Sequence, residues 1–368
     1  MRRRLRMGNL WPWKLELRGT PSRTMTYLSP VLAVVLTMLL GALLFIALGK
    51  DPLAGLKVFL IDPFNGKRAI SELLLKSIPL ILCALGLAVC FRANVWNIGA
   101  EGQFTVGAMC AGAALVLIDV PGHAIPGGLG LFLMIVAGIL GGAFWAGITA
   151  LLRDRFNANE ILVSLMLTYV AQLLLMYAVN GPLKDPNGMN FPQSKVFSGE
   201  FMLPALLSGT RLHIGFAVTL VLAAVMTVFM TRSLRGFSLF VGGAAPHAAR
   251  YAGFSSRSAL WTSLLVSGSF AGLAGAFEIA GPIGQLLPSV SPGYGFAAII
   301  VAFIGRLHPV GAVLGGLVMS LLYLGGELAQ SRLGLPSAIT GVFQGMLLFL
   351  LLASDTLIDY RLRRKAKV

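Results

Sequence analysis

The chain has 368 residues, 57% of them hydrophobic and only 12% charged, with a mean hydropathy of +0.83 and a net charge of +15. A water-soluble domain carries about 25% charged residues, so this composition excludes an ordinary soluble fold. The basic excess lies at the two ends and in alternate connecting segments, which excludes a nucleic-acid-binding patch and points to membrane topology.

Seven basic residues come first: Arg2, Arg3, Arg4, Arg6, Lys14, Arg18 and Arg23. They make up a basic extension over 1–28, followed by the apolar stretch 29–49. Ala47-Leu48-Gly49 resembles a signal-peptide cleavage site, yet an apolar run of this length after so long a basic region fits an uncleaved anchor better. Further long apolar stretches lie at 128–152, 161–180, 212–231, 259–277, 307–326 and 333–354. Shorter or interrupted ones lie at 77–91, 102–118 and 293–305. Each long stretch can cross about 30 Å of hydrocarbon. The sequence therefore predicts an all-α polytopic membrane protein of about ten spans, with one transmembrane domain over 29–354 and a basic tail over 355–368.

Ten crossings place both termini on one side. The terminal basic residues, with Arg92, Arg153, Arg155, Arg232, Arg235, Arg250, Arg257 and Arg306, make that side the cytoplasm. The longest opposite loops are then 50–72 and 181–211, too short for independent domains.

Between 77–91 and 102–118 stands Asn94-Val95-Trp96-Asn97-Ile98-Gly99-Ala100-Glu101-Gly102-Gln103. A carboxylate near bilayer depth costs at least about 2.5 kcal/mol and must face protein or water. Broken, glycine-containing backbone at that depth must likewise be buried or line a cavity. Asn97, Glu101 and Gln103, with Trp96 and Phe104, are therefore candidate lining or scaffold for a translocation path. Glu101 either meets substrate or holds the broken backbone by accepting bonds from glycine amides. A second interrupted region, 278–305, holds Gly281-Pro282, Pro288, Pro292-Gly293 and Gly295, and begins at Glu278, a second buried carboxylate candidate. Leu140-Gly141-Gly142 and Leu314-Gly315-Gly316 occupy corresponding places in the two halves, with opposite orientation. Paired interrupted segments of this kind indicate inverted repeats around a midplane site.

Other chemistry is missing. Gly49-Lys50 and Gly66-Lys67 are followed by Asp51 and Arg68, so no P-loop exists to cradle ATP. No nucleophile elbow, metal-ligand spacing or paired catalytic carboxylate appears, and Cys83, Cys90 and Cys110 read as small packing residues. The chain is expected to be no enzyme and to hold no cofactor or metal. Within 232–258, Pro246-His247-Ala248-Ala249-Arg250-Tyr251-Ala252-Gly253 reads as one short helix, proline at its start and glycine at its end. Composition alone fits a partner-docking element and an ordinary interfacial turn equally.

The chain resembles the permease subunits of bacterial ABC importers of the branched-chain amino acid, ribose and nucleoside class, most closely the nucleoside-type branch. The resemblance covers about 73–354. It rests on Asn97–Gln103, Asn159-Glu160-Ile161-Leu162-Val163-Ser164-Leu165-Met166-Leu167, Asn180–Pro186, Ala248–Gly253 and Gly305-Arg306-Leu307-His308-Pro309-Val310-Gly311. It implies a type II importer in the bacterial cytoplasmic (inner) membrane, with a second, different permease chain, a cytoplasmic ABC ATPase that uses the ATP, and an extracytoplasmic substrate-binding protein. It also implies that 246–253 is the ATPase-coupling helix. His247, where the family commonly has Glu, and His308, where it commonly has Asn, are departures. The expected cargo is a nucleoside or related solute. A simple sugar such as ribose is the alternative, and an ion-driven transporter working alone leaves the coupling-helix match unexplained.

Overall fold

The computed structural model describes residues 13–118 and 126–364, so Arg2, Arg3, Arg4, Arg6, His123, Lys365 and Lys367 lie outside the described residues. A short strand β1 (Trp13–Leu17) leads into helix α1 (Arg23–Ala47), which the Ser22 hydroxyl caps by accepting from the Met25 amide. Next come α2 (Pro52–Leu60), α3 (Lys67–Arg92), α4 (Ala100–Ile118), α5 (Gly127–Phe156) and α6 (Glu160–Asn180). A long connection precedes α7 (Gly215–Arg232), α8 (Leu234–Ala244), α9 (Pro246–Tyr251) and α10 (Ser256–Glu278). After a π-helical turn over 279–283 the chain continues as α11 (Tyr294–Ile304), α12 (Pro309–Leu333), α13 (Ala338–Asp359) and β2 (Tyr360–Arg364).

Nine helices among the described residues are long and apolar enough to span a membrane, against the ten crossings expected. The tenth stretch, α11, has 11 residues, about 16 Å of rise against ~30 Å of hydrocarbon. Nine crossings would leave the chain ends on opposite sides. Yet β1 and β2 pair antiparallel, Trp13 opposite Arg364 and Leu17 opposite Tyr360, so the number must be even. The one shorter apolar helix of 10–17 residues among the described residues is α11, preceded by the irregular segment 284–293.

Several boundaries differ from the hydropathy reading, each for a local reason. The expected loop 50–72 instead holds α2, which Asp51 caps and Pro52 starts, and the first turn of α3. The 26 residues of α3 outreach the hydrocarbon, which leaves room for Lys67, Arg68, Glu72 and Lys76 at one end. Helix α12 runs to Leu333 and stops at Gly334, whose φ of +64° ends it, rather than a span beginning at 333. Helix α1 starts before residue 29 and α13 continues past 354. Gly141 and Gly142 lie within α5.

The described chain forms two compact units. The smaller contains β1, α1, α2, the end of α12, α13 and β2. Its core is a cluster of Phe45, Phe59 and Phe343, with the Phe59 and Phe343 rings stacked 4.3 Å apart and Phe45 tilted against both, and Ser29 donates to the Asp355 carboxylate at 2.8 Å. The larger, 62–324, is built around α3, buried continuously from Ser77 to Phe91. Helices α4, α5 and α10 meet along Gly107, Gly138, Gly142, Gly268 and Gly272. A Cβ at Gly142 would stand 2.7 Å from the Gly272 Cα, so only glycines let these backbones touch.

Candidate functional site

Two interrupted segments sit at the centre of the larger unit. In the first, only 93–99 leaves the helix; Glu101, Gly102 and Gln103 fall in the first turns of α4 rather than in broken backbone, a correction to the sequence reading. A carboxylate belongs there, because the free N–H groups of a helix start favour negative charge. Asn94 turns the chain with φ +55°. The Asn97 carboxamide then occupies the centre of the segment. Its Nδ2 donates to Gln103 Oε1 and to Ser267 Oγ, both at 3.0 Å, and its Oδ1 accepts from the Gly99 amide at 3.0 Å and Gln103 Nε2 at 3.1 Å. Asn97 and Gln103 are both essentially unexposed and are each other's partners. The Ile98 amide donates to Ser164 Oγ on α6. Gly99 and Gly102 let α6 approach, since a Cβ on either would stand under 3 Å from Ser164 or Thr168. Two separate motifs, Asn97–Gln103 and Asn159–Leu167, thus meet face to face, and Asn159 caps α6 by accepting from Ile161 and Leu162.

Glu101 reaches the second interrupted segment. Its Oε2 accepts from the Gly295 amide at 2.7 Å, and the Ser291 hydroxyl and the Gly293 and Phe296 amides are its further hydrogen-bonding partners. One carboxylate therefore stands at the starts of two helices, α4 and α11, where both sets of free N–H groups favour it. The second segment is itself stitched down by the connection between α6 and α7. Phe197 and Leu203 amides donate to the Gly284 and Ala280 carbonyls, and Ser194 exchanges two bonds with Leu286. These bonds supply partners for backbone that has left helical geometry, as the low-dielectric interior requires.

Beside Glu101 lies a cavity of about 240 Å³, lined by Glu101 and Thr105 of α4, Gln172, Leu175 and Met176 of α6, and Pro288, Val290 and Ser291 of the second segment. Gln172 is exposed and lies about 18 Å along α6, near its middle. The sequence reading missed Thr105, Gln172 and Ser291. A signal existed for Gln172: Ser164, Thr168 and Gln172 recur every fourth residue on an otherwise apolar helix, marking one polar face.

The remaining candidates are dispersed. Phe104 is buried edge-on against Tyr294. Trp96 is half-exposed and stacks with Phe303 beside Phe91, its indole N–H donating to Asn94. Glu278 lies at the end of α10 among the charges of Lys76, Arg211 and Glu72, and the structure does not bring it to the cavity. Arg211 forms a bidentate pair with Glu72 at 2.7 and 2.9 Å, holding the α6–α7 connection to α3.

On 232–258 the expected short helix is α9, Pro246–Tyr251, followed by Gly253 at φ +82°. Ala249 is its buried anchor, while Pro246, His247, Ala248 and Arg250 are exposed and Tyr251 is 97% exposed. A second helix, α8, precedes it, capped by Ser233. Gly243 of α8 packs so closely on the end of α3 that a Cβ would overlap the Arg92 carbonyl. At the turn into α12, His308 Nδ1 accepts from the Val310 amide, as an asparagine oxygen would. Burial and the nearby Arg92 charge push the His308 pKa down, preserving that acceptor. No cluster of His, Cys, Asp and Glu suited to a metal occurs among the described residues.

Comparisons with known proteins follow this architecture. The glucose ABC transporter permease protein TsgB13 of Haloferax volcanii is 35% identical, over 94% of this chain and 93% of its own. The guanosine ABC transporter permease protein NupP of Bacillus subtilis is 30% identical over 89% and 93%. The nucleoside ABC transporter permease protein NupB of Lactococcus lactis is 28% identical over 89% and 91%. These relatives are transport subunits, not enzymes. Residues 69–352 match the family described as branched-chain amino acid transport system / permease component, and the chain belongs to it as a multi-pass permease subunit of an ABC transporter.

Proposed function

We propose that this chain forms one side of the translocation path of an importer for a nucleoside or a related hydroxyl-rich solute, and that the solute passes the cavity beside Glu101. The observation that carries this reading is the cavity itself: Glu101, Thr105, Gln172 and Ser291 converge on it from α4, α6 and the second interrupted segment. Hydroxyl, amide and carboxylate groups recognise the ribose edge of a nucleoside through hydrogen bonds. Asn97, Gln103 and Phe104 act behind it as scaffold, Trp96 at its margin. A hexose offers the same hydroxyls, and similarity to a glucose permease as well as to nucleoside permeases supports keeping a simple sugar as the second reading.

An ABC transporter permease works with ATPase and substrate-binding partners. Here the docking element is 246–253, with Arg250 and Tyr251 presented outward and Pro246, His247, Ala248, Ala249 and Gly253 shaping the helix. The contact of Gly243 with the end of α3 carries ATPase movement toward segment 93–99. The chain binds no cofactor, and ATP is used by the partner. It pairs with a second, different permease in the bacterial inner membrane, both termini cytoplasmic, and receives its solute from an extracytoplasmic binding protein. The test is reconstitution in proteoliposomes with the ATPase and binding protein, measuring uptake of labelled guanosine and labelled glucose. Uptake of one of them, abolished without the ATPase and reduced at least several-fold by Gln172→Leu, is expected; ATP-independent uptake by the permease alone would overturn the assignment.

A further inference from the structure

The paired ends of the chain form a two-stranded ribbon with no third strand among the described residues. Register places Glu16, Arg361 and Arg363 on one face, and Leu17 and Tyr360 on the other. An isolated two-stranded ribbon is marginal in water and needs something against its apolar face. Leu17 is nevertheless 66% exposed and Tyr360 40% exposed. The charged face is closed on itself, Glu16 pairing with Arg361 at 3.3 Å and Arg363 at 3.2 Å, which also holds the Glu16 carboxyl below its usual pKa range.

The ribbon's position follows from its attachments. Helix α13 has 22 residues, about 33 Å of rise, enough to cross the hydrocarbon, and β2 begins at the next residue. The turn between β1 and α1 is bonded to that same helix end, Arg18 N–H to the Asp359 carbonyl at 2.7 Å and Ser22 N–H to the Ile358 carbonyl at 3.0 Å. The ribbon is thus held at the edge of the bilayer. Tyr27, 80% exposed on the opening turns of α1, and Tyr360 are aromatics of the kind that settle at the headgroup level. Basic residues outnumber the single carboxylate along the ribbon and its turn, which suits an anionic headgroup layer.

From this we infer that the β1–β2 ribbon is an interfacial membrane element: its Leu17–Tyr360 face inserts among lipid at the bilayer surface, and its Arg361–Arg363 face lies against anionic headgroups. A soluble partner protein is the competing occupant, and one experiment separates them. Full-length permease, with Cys110→Ala, carries an environment-sensitive fluorophore at Leu17→Cys or at Arg363→Cys. It is reconstituted in vesicles of phosphatidylcholine and phosphatidylglycerol, some containing acyl-brominated lipid. Quenching several-fold stronger at Leu17→Cys than at Arg363→Cys, with a blue-shifted emission, is expected. Omitting phosphatidylglycerol, or adding Arg361→Ala and Arg363→Ala to the Leu17→Cys chain, should weaken that quenching. Equal and weak quenching at both sites overturns the inference, as does protection of Leu17→Cys that appears only when the ATPase is added.

Discussion

Glu101 is the residue whose role the geometry narrows most. Its bond to the Gly295 amide and its place at two helix starts make it a brace between the interrupted segments as well as a wall of the cavity. Glu101→Gln keeps an acceptor for Gly295 and should transport at near the normal rate. Glu101→Leu leaves that buried amide unpaired, at about 1–3 kcal/mol, and should lose both transport and thermal stability. Equal transport by both variants in reconstituted vesicles would remove the residue from the mechanism. His213 gives a second prediction. Its Nδ1 accepts from the Gly215 amide at 3.1 Å, and burial pushes its pKa down from 6.5 to about 4. The unfolded chain therefore binds the proton more readily than the folded one between those values. The contribution is fully present above pH 6.5 and is lost as pH falls towards 4, up to about 3 kcal/mol. Hydrogen exchange of the α6–α7 connection should rise over that window, and His213→Gln should flatten the dependence. Polarity at depth made Asn97, Glu101 and Gln103 legible in the sequence. That Asn97 and Gln103 are spent on each other was not, because their pairing depends on α4 starting at Ala100.

Among the elements, the glycine seam and the α8–α9 pair invite opposite perturbations. Gly272 faces the backbone of both Gly138 and Gly142, so Gly272→Leu must separate α10 from α5 and should cost about 3 kcal/mol, read as a lowered unfolding midpoint in detergent. A side chain at Gly253 would meet open space, but φ there is +82°, so Gly253→Val strains only the turn, by about 1–2 kcal/mol. That variant, and Arg250→Ala with Tyr251→Ala, should express and fold normally yet lose ATPase-driven uptake. Unchanged uptake would show that α9 does not dock the ATPase. The proline and glycine made α9 readable from sequence. Helix α8 was less so, since its Ser233 cap and its Leu234, Phe237 and Val241 spacing sit among residues that also suit a loop. Hydropathy failed likewise at 50–76, where the first turns of α3 carry charge because the helix is longer than the membrane is thick.

For the molecule as a whole, parity is the strongest constraint. Strand pairing between β1 and β2 demands an even number of crossings, and α11 is the shorter apolar helix available beyond the nine long ones among the described residues. Cysteines placed at Thr20 and at Arg363 should react with an impermeant thiol reagent from the same side of sealed vesicles, and one at Asn187 from the other. Composition made the class readable at once. The pairing of the ends was invisible, because strands of five residues leave no mark in a hydropathy profile and their partners are separated by nearly the whole chain.

That separation has a consequence for biogenesis. β1 leaves the ribosome before α1, yet its partner strand is synthesised only after α13, so the ribbon can close only once every helix between them has been made. The loop it closes spans some 345 residues, and closure by diffusion of a free chain that long is entropically costly. Prior insertion of α1 and α13 removes most of that cost, since both strands then start beside each other. The finished ribbon therefore reports that the crossings between its strands are even in number. A chain with one helix left outside the bilayer would strand the two ends on opposite sides, unable to pair, and expose an unmatched β1 to quality-control proteases.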